Sequence, residues 1–252
     1  MNIIELKNIY LTLQDREILK NISLMIPEGK VSIILGPSGA GKSSILKIIL
    51  GLWRPESGAV KINGKDISKL SELEMLPIRK KMGIVFQGNA LFDSLSVEEN
   101  VGYFLAEQNK ISKLEMKDKV EMALSFVNLS GTNDLSPDQL SGGMKKRVAI
   151  ARAMVFDPEI ILFDEPTTGL DPINSKHILD LIARLREQGT TAVVVTHILN
   201  DAVSIGDKLS LINGGTLIES GTVSEMLSSK NEFVRSFFYE VYQDAELLKN
   251  CK

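Results

Sequence analysis

The 252-residue chain carries 44% hydrophobic and 24% charged residues, a formal net charge of −3 and a single cysteine, Cys251. That length buries a sizeable core, as one large α/β domain or two small ones. The charge gives no field that would gather nucleic acid, no apolar run approaches the roughly 20 residues of a membrane helix, and one cysteine makes no intrachain disulfide, which fits a reducing cytosol.

The N-terminal stretch "MNIIELKNIYL" mixes an acid among its apolar residues and has no basic lead-in, so it does not read as a signal peptide. Short apolar runs bounded by turn residues then predict strands at residues 3–6, 21–26, 31–35, 59–62, 83–86, 160–163, 191–195, 208–212 and 216–220. Several alternate with helical-period segments at 43–52 and 174–187, the pattern of a mostly parallel sheet with flanking helices. The opening runs, 3–26, come before the first turn-to-helix motif and predict an antiparallel flap beside that sheet. From about Ser94 to Ala153 the strand signals stop. That stretch is charged and helical in period, broken by "SGTNDLSPDQ", and reads as a helical insertion.

"GPSGAGKS", residues 36–43, follows the apolar strand "VSIIL" and precedes a helix, the context that makes a phosphate-loop pattern credible. Gly36, Gly39 and Gly41 let the backbone curl so that successive amides, with those of Pro37's neighbours Ser38 and Ala40 and of Ser44 at the helix start, surround phosphate. Lys42 neutralises the β/γ oxygens and Ser43 offers a hydroxyl to Mg²⁺, so the predicted substrate is a nucleoside triphosphate. "ILFDEP" is a buried-type strand ending in two carboxylates. Asp164 suits direct or water-bridged Mg²⁺ binding and Glu165 the positioning of attacking water, on the reasoning that adjacent strand residues face opposite ways; a solvated acidic pair is the alternative. "TAVVVTHI" ends in His197, which could contact a γ-phosphate or simply cap a strand end, whereas His177 reads as a surface residue of a helix. Gln87, after "GIVF", offers a neutral amide to Mg²⁺ or water.

"LSGGMKKRVAIARA", residues 140–153, holds no nucleophile, base or metal ligand. Ser141 can cap a first helical turn whose amides Gly142 and Gly143 leave uncovered, which describes either an anion site or an ordinary N-cap.

Taken in order, "GPSGAGKS", "VFQ", "LSGGM", "ILFDEP" with "TGLD", and "VVVTH" make the chain resemble the ATP-binding cassette (ABC) nucleotide-binding subunits over nearly its whole length. The resemblance implies an α/β P-loop NTPase (RecA-like) core with an antiparallel β flap and an inserted helical subdomain at about 94–153, within an ATP-binding domain spanning 1–230. It implies that "LSGGM" is the signature motif, which binds the γ-phosphate of ATP held on the phosphate loop of a second copy in a head-to-tail dimer. It further implies that Gln87 senses a membrane partner, that Asp171 in "TGLD" lies at the dimer seam, and that His197 is the switch histidine. Two positions depart from the family pattern: Met144 stands where the signature usually ends in Gln, and Leu13, with Tyr10 three residues earlier, where an aromatic usually stacks on adenine.

"LSGGM" with "DEPTTGLDPI" and "NALFDSLSVEENVGYFL" is similar, more narrowly, to the ATPases of Mla/Mce-type lipid transport systems. That likeness implies an ATPase pair on the cytoplasmic face of the cell membrane, bound to integral-membrane permease subunits, with an Mce-domain lipid-binding protein and, in some of these systems, a small STAS-domain subunit as further partners. An importer ATPase for an amino acid or ion is the alternative; a soluble ATPase of translation or DNA repair fits less well, since such proteins usually carry two cassettes or a long coiled coil. From Asn231 on, Val234, Phe237, Phe238, Val241, Ala245 and Leu248 recur at helical spacing and predict a C-terminal helical extension, 231–252, whose stripe packs on its own core or on another subunit.

Overall fold

The computed structural model describes residues 1–107 and 111–239. These divide into two compact units, one formed by residues 1–75 and those from 193 onward, the other by residues 76–192.

In the first unit, β1 (Asn2–Leu13) and β2 (Arg16–Pro27) form an antiparallel hairpin. Its turn residues Gln14 and Asp15 both take positive φ, 48° and 61°, the left-handed pair that matches the twist of the flanking strands. Alternation then puts Ile4, Leu6, Ile9 and Leu11 of β1 and Leu19, Ile22, Leu24 and Ile26 of β2 in the core. β4 (Ser57–Ile62) pairs antiparallel with β1 and the short β5 (Lys65–Asp66) with β4, giving the order β2-β1-β4-β5. The expected flap is thus a four-stranded antiparallel sheet.

β3 (Val31–Leu35) is buried at all five positions, as a parallel strand covered on both faces must be. It runs parallel to β9 (Lys208–Asn213) in the register Ser32↔Lys208 to Leu35↔Leu211, and β10 (Thr216–Gly221) returns antiparallel on β9. Helix α1 (Lys42–Ile49) leaves the loop after β3 and buries Ile45, Leu46, Ile48 and Ile49.

In the second unit β6 (Met82–Val85) runs parallel to β7 (Ile160–Asp164), from Met82↔Ile160 to Val85↔Phe163. Between these strands the described residues hold only helices and loops: α3 (Val97–Glu107), α4 (Lys113–Phe126), a 3-10 turn at Pro137–Gln139, and α5 (Gly142–Met154). This is the helical insertion the sequence predicts. α5 lies close against β6, where a Cβ on Gly83 would come 2.4 Å from the Ala153 carbonyl oxygen. α2 (Glu72–Arg79) precedes β6, α6 (Pro172–Glu187) follows β7, and β8 (Thr191–Thr196), buried throughout, carries the chain back to the first unit.

α7 (Leu199–Ile205), α8 (Val223–Leu227) and α9 (Glu232–Phe237) complete the described chain. The Asn231 side chain caps α9, with Val234 and Phe238 buried and Phe237 half-buried. Val241, Ala245 and Leu248 of the predicted stripe lie outside the described residues.

Candidate functional site

The loop from Gly36 to Gly41 joins a fully buried strand to a helix, so its amides gather at the C-terminal end of β3 and the N-terminal end of α1. Gly39 has φ 80° and a Cβ there would meet nothing within 4 Å, so backbone conformation alone calls for glycine. Gly41, φ 98°, is needed twice over, because a Cβ would lie 2.7 Å from Leu19 Cδ2 and 3.0 Å from the Ile18 carbonyl oxygen, both on β2. The Ala40 amide donates to the Pro37 carbonyl oxygen at 3.2 Å and closes the curl. Lys42, only 6% exposed, spans the loop and donates from Nζ to the carbonyls of Gly36 at 2.8 Å and Pro37 at 3.0 Å. Ser38 and Gly39 are exposed at the rim, and Ser43 and Ser44 are half-buried in the first turn of α1. One loop and the first turn of the helix after it thus supply an ammonium, successive amides and hydroxyls, a donor set that fits the phosphates of a nucleoside triphosphate. His197, also in this unit, follows the last residue of β8 and is exposed.

The second unit holds the other predicted residues. Asp164 ends β7 and is half-buried; Glu165 follows it, buried, with φ 49°. This corrects the strand-alternation argument. β7 stops two residues before Pro166, and a left-handed turn, not the pleat, separates the two carboxylates. The Thr168 hydroxyl donates to Glu165 Oε2 at 3.0 Å. Asp171 caps α6, accepting from the amides of Ile173 and Asn174 at 3.0 Å each and from the Asn174 side chain. The amide of Asn174 holds its carboxyl below the usual range.

Ser141 caps α5 as predicted, its Oγ accepting from the Met144 amide at 3.2 Å and leaving the hydroxyl proton to donate outward. Ser141 and Gly142 are exposed. Gly142 has open space, for a Cβ there would reach only Leu170 Cδ2, at 4.0 Å. Gly143 has a different reason: a Cβ would lie 2.6 Å from Asn174 Oδ1, so α6 needs glycine there to approach α5. Gln87 is exposed just beyond β6.

Sequence reasoning gave no role to Lys146, which is 2% exposed on α5. Its ammonium donates to the carbonyl oxygens of Gln87 at 2.8 Å and Phe86 at 3.3 Å. Burial pushes it down to about 8, opposed by the nearby Asp164 carboxylate. The signal was present: Lys146 shares a helical face with Ala149, Ile150 and Ala153, all buried. Among the described residues no group of three or more His, Cys, Asp or Glu could hold a metal ion.

The family model described as ABC transporter matches residues 19–168. The chain is 41% identical to an intermembrane phospholipid transport system ATP-binding protein, MlaF, of Haemophilus influenzae, over 94% of this chain and 90% of that one. It is 39% identical to a probable ribonucleotide transport ATP-binding protein, mkl, of Mycobacterium leprae, over 93% of this chain and 68% of the relative. A dimeric ATP-binding cassette solved in a post-hydrolysis state with ADP and Pi superposes with a TM-score of 0.80 at 36% identity, covering 87% of this chain and 98% of that structure. With a phosphate loop, a capped helix start and a carboxylate pair following one another along a chain whose residues 19–168 match the family model, the chain belongs to the ABC transporter family.

Proposed function

We propose that this chain is the ATP-hydrolysing subunit of a transporter that moves phospholipid or another apolar lipid between membranes. The observation that carries the ATPase reading is the pairing, in one chain, of a phosphate cradle around Lys42 with a second, exposed helix start at Ser141 that has no acidic side chain in its first turn. Such a helix start is complementary to an anion brought to it from elsewhere. Two copies placed head to tail would bring the Ser141 hydroxyl and the amides after it to the γ-phosphate lying on the partner's loop. Donors fixed in place before charge develops stabilise a phosphoryl transition state without a nucleophilic side chain.

Within that reading the amides of Gly36, of 38–44 and the Lys42 ammonium bind the β/γ-phosphates around Pro37, which has no N–H to give, and Glu165 orients the attacking water. His197 contacts the γ-phosphate and Asp171 lines the seam between the two copies. Ser43, Asp164 and Gln87 would hold Mg²⁺, which supplies charge neutralisation at the phosphate oxygens. Half-buried Leu13, at the end of β1, would offer adenine an aliphatic contact in place of a stacked ring. Residues 1–230 form the ATP-binding domain, with 94–153 as its helical part and 231–252 as an extension.

No helix among the described residues is long and apolar enough to cross a membrane, so contact with lipid falls to partners. These are integral-membrane permease subunits, an Mce-domain lipid-binding protein and a small STAS-domain subunit, with this chain peripheral on the cytoplasmic face of the cell membrane. The extensive likeness to a phospholipid transport ATPase supports the lipid. The likeness to a protein named for ribonucleotide transport favours a polar solute as the second reading. Isolation of the tagged chain from a detergent extract separates them. A permease with co-isolated phospholipid is expected, and a permease that takes up a polar solute with no bound lipid supports the second reading. Ribosomes or DNA in place of a permease would overturn both.

A further inference from the structure

Four of the five residues from Phe86 to Ala90 present their carbonyl oxygens to two cations of a single helix. Lys146 takes those of Phe86 and Gln87, and Arg152, six residues further along α5, takes Asn89 at 2.8 Å and Ala90 at 2.7 Å through its two terminal nitrogens. Four of five consecutive carbonyls are therefore bound by α5. The segment needs such restraint: Asn89 and Ala90 both lie in the left-handed region, at φ 63° and 49°, and Ala90 has no polar side chain to favour that conformation. Within the segment two short turns form, Asn89 N–H to Phe86 O at 3.0 Å and Ala90 N–H to Gly88 O at 2.7 Å.

A lysine in this place is also costly. An ammonium 2% exposed has lost most of its hydration, and a hydrocarbon of similar length would fill the same volume without that penalty. Its donors go to main-chain oxygens, which carry no sequence preference, so what Lys146 fixes is the position of a backbone. That backbone bears Gln87, and the helix supplying both cations begins with the Ser141 cap.

The geometry points to Lys146 and Arg152 as positioning residues that clamp the segment bearing Gln87 to α5, so that Gln87 and the Ser141 helix start move as one body during ATP hydrolysis. This rests on the reading above, in which Gln87 serves Mg²⁺ or water at the γ-phosphate. Displacement of Gln87 by a membrane partner would then be passed to Ser141 through main-chain hydrogen bonds, and the reverse would hold equally, since coupling between two sites is reciprocal.

Two measurements on the full chain test this. The first is amide hydrogen exchange of residues 86–90 in Lys146→Met and Arg152→Met, which keep length and remove charge. Exchange of the Asn89 and Ala90 amides is expected to speed up about tenfold or more, while that of β7 stays within about twofold, because only the clamped segment opens. Unchanged exchange at 86–90 overturns the clamp. The second is a double-mutant cycle on kcat at saturating Mg·ATP. Lys146→Met is expected to lower kcat about tenfold in the wild type and less than about twofold once Gln87→Ala is present, because a residue acting through Gln87 has nothing left to position. Full additivity overturns the proposal. If Gln87→Ala alone leaves kcat unchanged, the role given to Gln87 fails, and hydrogen exchange still decides the clamp independently.

Discussion

Glu165 sits at φ 49°, a conformation a glutamate adopts at a cost of about 1 kcal/mol or more, and its carboxylate is held by the Thr168 hydroxyl. Strain of this kind persists where surrounding structure enforces it, and here the enforced result is a buried carboxylate immediately after the end of β7. Glu165→Gln keeps shape and turn but cannot accept a proton. It is expected to leave equilibrium ATP binding within about twofold while slowing hydrolysis by about 100-fold or more, read by nucleotide titration and phosphate release. Near-normal turnover would remove Glu165 from the role of base. At this scale the sequence was legible where a residue type has one use. Lys42 in a glycine loop and a Ser–Gly–Gly helix start announce themselves. It was less legible where tertiary contact assigns the use: Lys146 reads as one more basic residue in "MKKRVAIARA" until its face on α5 is seen to be buried, and the steric need for glycine at 143 shows only once Asn174 is seen against it.

Among elements, α6 shows how one residue secures a helix start. Asp171 bonds the first amides of the helix through one oxygen and the Asn174 side chain through the other, and these bonds hold its carboxyl below the ordinary value near 3.8. A carboxyl more acidic in the folded than in the unfolded state contributes stability that is fully present above its unfolded pKa, and that stability is lost as pH falls through the lower folded value. Asp171→Asn keeps a capping oxygen without the charge. The urea midpoint of the wild type is therefore expected to exceed that of the variant at pH 7, with the gap closing as pH falls below the ordinary value near 3.8. A gap independent of pH would show that the charge on Asp171 does not stabilise α6. The strands were legible as elements because each is short, apolar and bounded by turn residues. The end of β7 was not: Pro166 suggests a strand running up to it, whereas the left-handed turn at Glu165 ends the ladder at Asp164. The flap likewise proved wider than the opening hairpin alone suggests, because β4 and β5 arrive from beyond α1 to extend it.

For the whole molecule, the order of motifs along the chain was enough to recognise the family, since each motif carries its own strand or helix context. What the order does not contain is that a phosphate cradle and the helix start that completes it would belong to different copies, because that depends on how two chains meet. In a head-to-tail pair each site takes Lys42 from one chain and Ser141 from the other, so two lesions can be made to coincide or to separate. Tagged, tandem-purified heterodimers with nucleotide trapping measure this directly. With Lys42→Ala in one chain and Ser141→Arg in the other, both lesions fall in a single site and one intact site is expected to trap nucleotide. With both changes in one chain and an unaltered partner, each site carries one lesion and trapping is expected to fall to the level of the doubly impaired dimer. Equal trapping in the two arrangements would show that Ser141 serves no nucleotide, and the reversed order, with an intact site only when both changes share one chain, would return Ser141 to its own chain's nucleotide; either result contradicts a shared site.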